Sequence, residues 1–260
     1  MNIIKNIPNG FKLFKSIADY NPYLKKIDAL HNAGRFEEER AMIAEVIGKW
    51  VNDVERKFDM HLTIEGKENI PQGACAFYVN HQGYGDIPTM FKVCEGKQVS
   101  FVAKDGAEKL PFIGRWIKAS QGVFIKRGET REGLKAIKEG ADKLKNGYSL
   151  IIFPEGTRSH CSKMADFKPG SFKLATKAGV PIVPVTINGS YHMFEDRDVI
   201  TNGAVIDVIV HPPIETKGMA RSEQNSLPQH VENIVRNGLD ELVKRAEKYI
   251  LKESNQVQKI

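Results

Sequence analysis

The chain has 260 residues, 41% of them apolar, and a formal net charge of +6 with a pI near 9.0. That is ample material for a sizeable core, in one large α/β domain or a main domain with an appendage. The modest basic surplus suits anionic partners without choosing among nucleic acid, acidic carrier proteins and lipid surfaces.

Cys75, Cys94 and Cys161 are widely separated and form no CxxC pair, which argues against a zinc site or a disulfide framework and for a reducing compartment. No window approaches the roughly 18 apolar residues of a membrane span. The N-terminus also lacks the compact apolar core of a signal peptide. The expectation is a cytosolic protein, or one bound to a membrane face without crossing it.

In chain order, residues 1–30 alternate Ile3, Ile4, Ile7, Phe11, Leu13, Phe14 and Ile17 with Lys5, Lys12, Lys15, Lys25 and Lys26. Such a broken amphipathic stretch suits an interfacial membrane anchor, and equally a helix docked on its own domain. From Arg35 to Phe58, the positions Ile43, Val46, Ile47, Trp50, Val51, Val54 and Phe58 hold helical spacing and predict a packed helix.

From residue 61 short apolar runs alternate with helical segments. Strands are predicted at 61–65, 75–79, 99–103, 122–126, 149–153, 182–187 and 205–210. Helices are predicted between Lys126 and Ser149, where Leu134, Ile137, Ala141 and Leu144 mark one closed by Asn146-Gly147, at 171–178 and at about 228–251, and residues 252–260 read as loose. This alternation argues for a mostly parallel central sheet of about seven strands covered by helices. The organisation is an N-terminal helical region over 1–58, an α/β domain over 59–252 and a flexible tail over 253–260.

Functional residues in such sheets gather past the carboxyl ends of strands. In "AFYVNHQGYGDIPTM" (76–90), Asn80-His81 follows a strand and Asp86 opens a helix. The glycines at 83 and 85 allow a tight return, so Asp86 would fix the His81 tautomer and leave the other ring nitrogen to take a proton. Taken singly, Asp86 is also an ordinary helix cap and His81 an ordinary loop histidine. No protein nucleophile accompanies them, so the nucleophile would come from the substrate.

Other strand ends add polar groups. "FIKRG" (124–128) offers Lys126 and Arg127, and "SFVAKDG" offers Lys104. "IIFPEGTRS" (151–159) offers Glu155, Gly156, Thr157 and Arg158. There a glycine turn, a hydroxyl and an arginine suit a phosphate. Glu155 fits that loop if it accepts a substrate hydroxyl or holds an arginine. "VPIVPVTI" (180–187) reads as a strand whose prolines belong at an edge or entrance.

These stretches resemble the four ordered motifs of the glycerolipid acyltransferases: "NHQGYGD" the NHxxxxD motif, "FIKRG" the second, "FPEGTRS" the third and "VPIVPV" the fourth. The similarity covers roughly residues 62–215 and is greatest to 1-acylglycerol-3-phosphate acyltransferases. It implies that His81 deprotonates the sn-2 hydroxyl of lysophosphatidate, with Asp86 orienting it and no acyl-enzyme. Lys104 would stabilise the oxyanion. Arg127 and Arg158 would hold the acceptor phosphate, with Glu155, Gly156 and Thr157 shaping that loop, and Pro184 would line the acyl-chain side.

The implied co-substrate is acyl-CoA or an acyl carrier protein thioester, with no cofactor and no metal. The implied place is the cytoplasmic face of a membrane, held peripherally through the N-terminal region. Many members carry an N-terminal membrane span that is missing here, and the first motif has more glycine than is common. Residues 101–146 hold 11 Lys and Arg against 6 Asp and Glu, a surplus for anionic lipid or an acidic carrier.

Alternatives from the same residues are another lysolipid or glycerol-3-phosphate as acceptor, a thioesterase-type hydrolase, and a non-catalytic membrane-binding protein. Nucleic-acid binding and a nucleotide P-loop lack their patterns.

Overall fold

The computed structural model describes residues 3–126 and 130–257. Three helices come first: α1 (Ile3–Ala18), α2 (Pro22–Asn32) and α3 (Phe36–Phe58). In α3 the stripe Ile43, Ile47, Val51, Val54 and Phe58 is buried. Glu37 and Glu38 in its first turn and Arg56 and Lys57 in its last complement the helix dipole. It ends where Asp59 turns left-handed at φ 50°.

Helix α1 lies against α3. Trp50 Nε1 donates to Ser16 Oγ at 3.3 Å, the Tyr20 hydroxyl donates to Asp53 at 2.8 Å, and the Lys12 ammonium sits 5.0 Å over the Phe58 ring. Phe11 (69% exposed) and Phe14 (47%) nevertheless face outward. Among the described residues, no helix is long and apolar enough to cross a membrane.

The strands are β1 (His61–Glu65), β2 (Ala76–Val79), β3 (Val99–Lys104), β4 (Val123–Ile125), β5 (Ser149–Ile152), β6 (Ile182–Asn188) and β7 (Val205–Val210). They form one sheet in the order β1-β7-β6-β2-β5-β3-β4. All neighbours run parallel except β6 and β7. The remaining helices are α4 (Asp86–Val93), α5 (Ile113–Ala119), α6 (Thr130–Lys145), α7 (Lys173–Ala178) and α8 (Arg221–Val257).

Strand alternation divides the core into two faces. Phe77 and Val79 of β2, with Val183, Val185 and Ile187 of β6, meet Val54 and Phe58 of α3 and Met90 and Val93 of α4. Ala76, Tyr78, Leu150 and Ile182 meet α6, α7 and α8 through Leu144, Leu174 and Val231. The expected seven-strand, mostly parallel sheet between helical layers is the fold observed.

Three details differ from the sequence reading. Helix α5 was not foreseen. Helix α8 starts at Arg221, with Pro228 inside it, and continues through Val257 into the segment read as a loose tail; 258–260 lie outside the described residues. Finally, β6 is a central strand rather than an edge. Pro184 is tolerated there because the antiparallel ladder with β7 ends at Val185–Val210, so the missing N–H falls beyond the last paired residue. Its carbonyl still accepts the His211 N–H at 3.0 Å.

Candidate active site

Three neighbouring strand ends, those of β2, β5 and β6, carry the site. Asn80, the first residue after β2, ties two of them together. Its side chain donates to the Ile187 carbonyl and accepts from the Ile187 N–H, both at 2.8 Å. The next residue, His81, is thereby delivered to the carboxyl rim of the sheet.

His81 Nδ1 lies 2.6 Å from Asp86 Oδ2. The same oxygen accepts the N–H groups of Gln82 (2.8 Å) and Gly83 (3.0 Å), and Oδ1 accepts a short hydrogen bond from the Ser190 hydroxyl. A carboxylate surrounded by donors holds Nδ1 as N–H, so Nε2 carries the lone pair. Asp86 is wholly buried, whereas the His81 side chain is 18% exposed, so the ring reaches the open side of the pair.

Asp86 is not the cap of α4. Gly85 holds that position, and the carboxylate turns back to fasten the loop before it. The tight return is made, the Asp86 N–H donating to the Gly83 carbonyl at 3.2 Å, although neither glycine has positive φ. A Cβ on Gly83 would stand 2.1 Å from Glu195 Oε2, and one on Gly85 would stand 2.4 Å from the Ser190 carbonyl oxygen. What they provide is close approach.

The loop after β5 fits onto the loop after β2. The Ser159 and His160 N–H groups donate to the carbonyls of His81 (2.8 Å) and Gln82 (3.0 Å). Glu155, expected to meet substrate or an arginine, is buried and fully occupied by backbone. One oxygen accepts the His81 N–H at 2.6 Å, the other the Ala165 N–H at 2.7 Å. Burial raises its carboxyl above the ordinary value, and those two N–H bonds oppose the rise. It is a brace behind His81 rather than a substrate ligand.

Gly156 turns at φ 70°, its N–H donating to the Phe153 carbonyl at 3.0 Å, and Thr157 is exposed. Arg158 lies over the Tyr84 ring, its guanidinium carbon 3.9 Å from the centroid, and pairs with Glu195 at 2.8 Å.

Lys104 ends β3, exposed, its ammonium without a hydrogen bond or ion pair among the described residues. Arg127 lies outside the described residues. Pro184 is misplaced by the sequence reading. It pairs with Tyr78 on the face turned to α7 and α8, away from the apolar groove.

That groove, about 400 Å³, runs between the N-terminal helices and the sheet domain. Ile17, Trp50, Phe91, Trp116 and Phe194 line its length, and Tyr84 and Gly85 bring it to the loop after β2, with Phe101 beside them. Phe101 stacks on Phe153 (5.9 Å, 12°), and Phe153 stacks on the His81 ring (4.0 Å, 14°). Two stacked rings therefore connect the groove wall to His81.

Gln82, Ser190 and Glu195 were not anticipated. Gln82 Oε1 accepts the Gly189 N–H at 2.9 Å and so locks the β2 loop to the β6 loop. "NGS" (188–190) directly after a strand was the one sequence signal for Ser190, and nothing local marked Glu195.

The site thus presents a histidine whose Nδ1 is held by a buried carboxylate, beside a long apolar groove. A family model described as Acyltransferase matches residues 61–188. The chain is 38% identical over 157 residues to a chloroplastic 1-acyl-sn-glycerol-3-phosphate acyltransferase of Arabidopsis thaliana, covering 59% of this chain and 43% of that protein. It is 27% identical over 186 residues to the 1-acyl-sn-glycerol-3-phosphate acyltransferase of Borreliella burgdorferi, covering 72% of each. The crystal structure of the 1-acyl-sn-glycerophosphate acyltransferase PlsC of Thermotoga maritima superposes with a TM-score of 0.69 at 30% identity, over 93% of this chain and 98% of that one. The chain belongs to the glycerolipid acyltransferase family. It spans less than half the length of the Arabidopsis protein and of a Brassica napus counterpart.

Proposed function

We propose that the protein transfers an acyl group from an acyl thioester to the sn-2 hydroxyl of 1-acylglycerol-3-phosphate, giving phosphatidic acid. The observation that carries this reading is the His81–Asp86 pair at 2.6 Å, reached by an apolar groove through Phe101 and Phe153. His81 Nε2 takes the hydroxyl proton as the oxygen attacks the thioester carbonyl. The tetrahedral intermediate expels the thiolate, which takes the proton back from the imidazolium. Asp86 stabilises that imidazolium and keeps Nδ1 as its donor.

In this reading Lys104, exposed at the end of β3, offers its ammonium to the developing oxyanion. Arg158 and Arg127 hold the acceptor phosphate beside Gly156 and Thr157. The donor is acyl-CoA or an acyl carrier protein thioester, and no cofactor enters. Phe11 and Phe14, exposed on α1 next to Lys15, seat the protein on the cytoplasmic face of a membrane. The groove rim then opens where lysolipid resides, since Phe14 also lines it.

The test is to incubate purified protein with radiolabelled lysophosphatidate in vesicles, first with acyl-CoA and then with the acyl carrier protein thioester, with His81→Ala in parallel. His81-dependent labelled phosphatidate is the expected result and identifies the donor. Free fatty acid without phosphatidate refutes the transferase in favour of a hydrolase.

A further inference from the structure

Glu195 is the anomaly of the site. It follows the turn after β6, and its side chain is 2% exposed. One oxygen accepts the Tyr84 N–H at 2.9 Å and the Arg158 Nη1–H at 2.8 Å. The other is buried without a hydrogen-bond partner among the described residues, and lies where a side chain on Gly83 would be. Burying a carboxylate with one oxygen unmet is costly, and its cation partner among the described residues is Arg158. Such an exception in a native site needs a reason.

We propose that Glu195 is the positioning residue for Arg158, fixing its guanidinium so that it meets an acceptor phosphate already ordered. This rests on the reading of Arg158 as the phosphate-holding cation. Free arginine side chains sample many rotamers and lose that freedom on binding an anion. Here two contacts remove it beforehand. Glu195 engages Nη1 from one side, and the Tyr84 ring stacks on the guanidinium plane at 3.9 Å. The donors on the remaining edge stay available for a phosphate in the two-bond geometry arginine favours.

Glu195 also grips the backbone of the residue that supplies the ring, so carboxylate, ring and cation form one unit. Gly83 belongs to the same device: with any side chain there the carboxylate would be displaced. This gives the extra glycine of the first motif a specific purpose.

Positioning and simple charge predict opposite signs. Deleting an anion beside Arg158 makes the site more positive and by itself lowers the KM for a phosphate acceptor. Loss of positioning raises it.

The experiment measures initial rates against lysophosphatidate for wild type, Glu195→Gln, Glu195→Ala, Arg158→Ala and the Glu195→Ala/Arg158→Ala double variant. The expected acceptor KM rises by about threefold for Glu195→Gln and about tenfold for Glu195→Ala, the range that immobilising one side chain accounts for. The KM for acyl-CoA stays within about twofold, so the loss in binding falls on the acceptor. The double variant is no worse than Arg158→Ala alone, because Glu195 acts through Arg158. An unchanged or lowered acceptor KM, an equal rise in the donor KM, or additive losses in the double variant overturns the proposal. Should Glu195→Ala fail to fold, Glu195→Gln, which keeps the shape, decides it.

A second readout is independent of turnover. The Arg158 Nε–H resonance, assigned by its loss in Arg158→Lys, should be sharp in acceptor-free wild type and exchange-broadened in Glu195→Gln. If wild type does not acylate lysophosphatidate, the proposed function falls and this resonance still tests the positioning. An equally broad signal in both proteins refutes it.

Discussion

Asp86→Asn separates the charge of the carboxylate paired with His81 from its geometry, and the outcome follows from what surrounds it. Oδ2 accepts three donors, His81 Nδ1–H and the N–H groups of Gln82 and Gly83, while Oδ1 accepts from Ser190. Two of the donors on Oδ2 are backbone and cannot reverse. An asparagine placing its NH₂ there would leave two buried donors unsatisfied at about 1–3 kcal/mol each. The Ser190 hydroxyl, by contrast, rotates to accept at no such cost.

The amide oxygen therefore takes the Oδ2 position, the His81 tautomer survives, and only the negative charge facing the imidazolium is lost. At an effective dielectric of about 20, a unit charge near 4 Å contributes about 4 kcal/mol, and partial replacement by the amide dipole leaves a net loss of about 3–4 kcal/mol. That corresponds to a fall in kcat of about 10²–10³. The assay is phosphatidate formation at saturating donor and acceptor, with thermal unfolding to verify the fold. A loss below about fivefold would mean that the charge does not serve the imidazolium. A loss equal to that of His81→Ala would mean that the tautomer is lost after all.

Four further outcomes follow. His81→Ala removes the base and should lower kcat by about 10²–10⁴ with the fold intact; near-normal turnover ends the mechanism. Arg158→Ala should raise the acceptor KM by about 10–100-fold, the worth of a charged hydrogen bond, and leave the donor KM unchanged. Glu155→Gln places an NH₂ against one of two buried N–H donors, destabilising by about 1–3 kcal/mol, or roughly 2–4 °C in Tm per kcal/mol. Because the Glu155 pKa is raised on folding, the native state holds the proton more tightly, and this group makes stability fall as pH climbs through that interval. The variant should flatten that slope in a Tm–pH series. Ile17→Trp narrows the groove and should shift donor preference to shorter chains, each excluded methylene costing about 0.8 kcal/mol or about fourfold in kcat/KM across an acyl-CoA series.

The parts of the molecule legible in the sequence were those written in local periodicity. The buried stripe of α3 and the apolar runs of β2, β5 and β7 carry their own signal, and His81 with Asp86 sit within five residues of each other. Helix α5 has seven residues, includes Gly114, and shows too little periodicity to read. Pro184 was misread because a proline's tolerance in a sheet depends on where the neighbouring strand stops, a property of β7 rather than of β6. Glu155 was misread for a related reason: beside Thr157 and Arg158 it looks like part of a ligand loop, yet its partners stand 10 and 74 positions away. Ser190 meets Asp86 across 104 positions, and Glu195 meets Arg158 across 37. No linear motif encodes contacts of that kind.

Those distant contacts explain how His81 after one strand and Arg158 after another keep a common geometry. The β5 loop hangs on the β2 loop through the Ser159 and His160 N–H groups and through Glu155. The β2 loop hangs on the β6 loop through Asn80, Gln82 and Asp86. Glu195 closes the circuit by joining the β6 loop to Arg158 of the β5 loop and to Tyr84 of the β2 loop. A displacement at any one of the three strand ends is therefore shared by the other two. Substitutions in this ring should couple strongly in double-mutant cycles even where neither residue touches substrate. Ser190→Ala with Glu155→Gln is the sharpest pair, since they brace Asp86 and His81 from opposite loops: independent braces give additive losses in kcat, and a shared frame gives a coupling of about 0.5–3 kcal/mol.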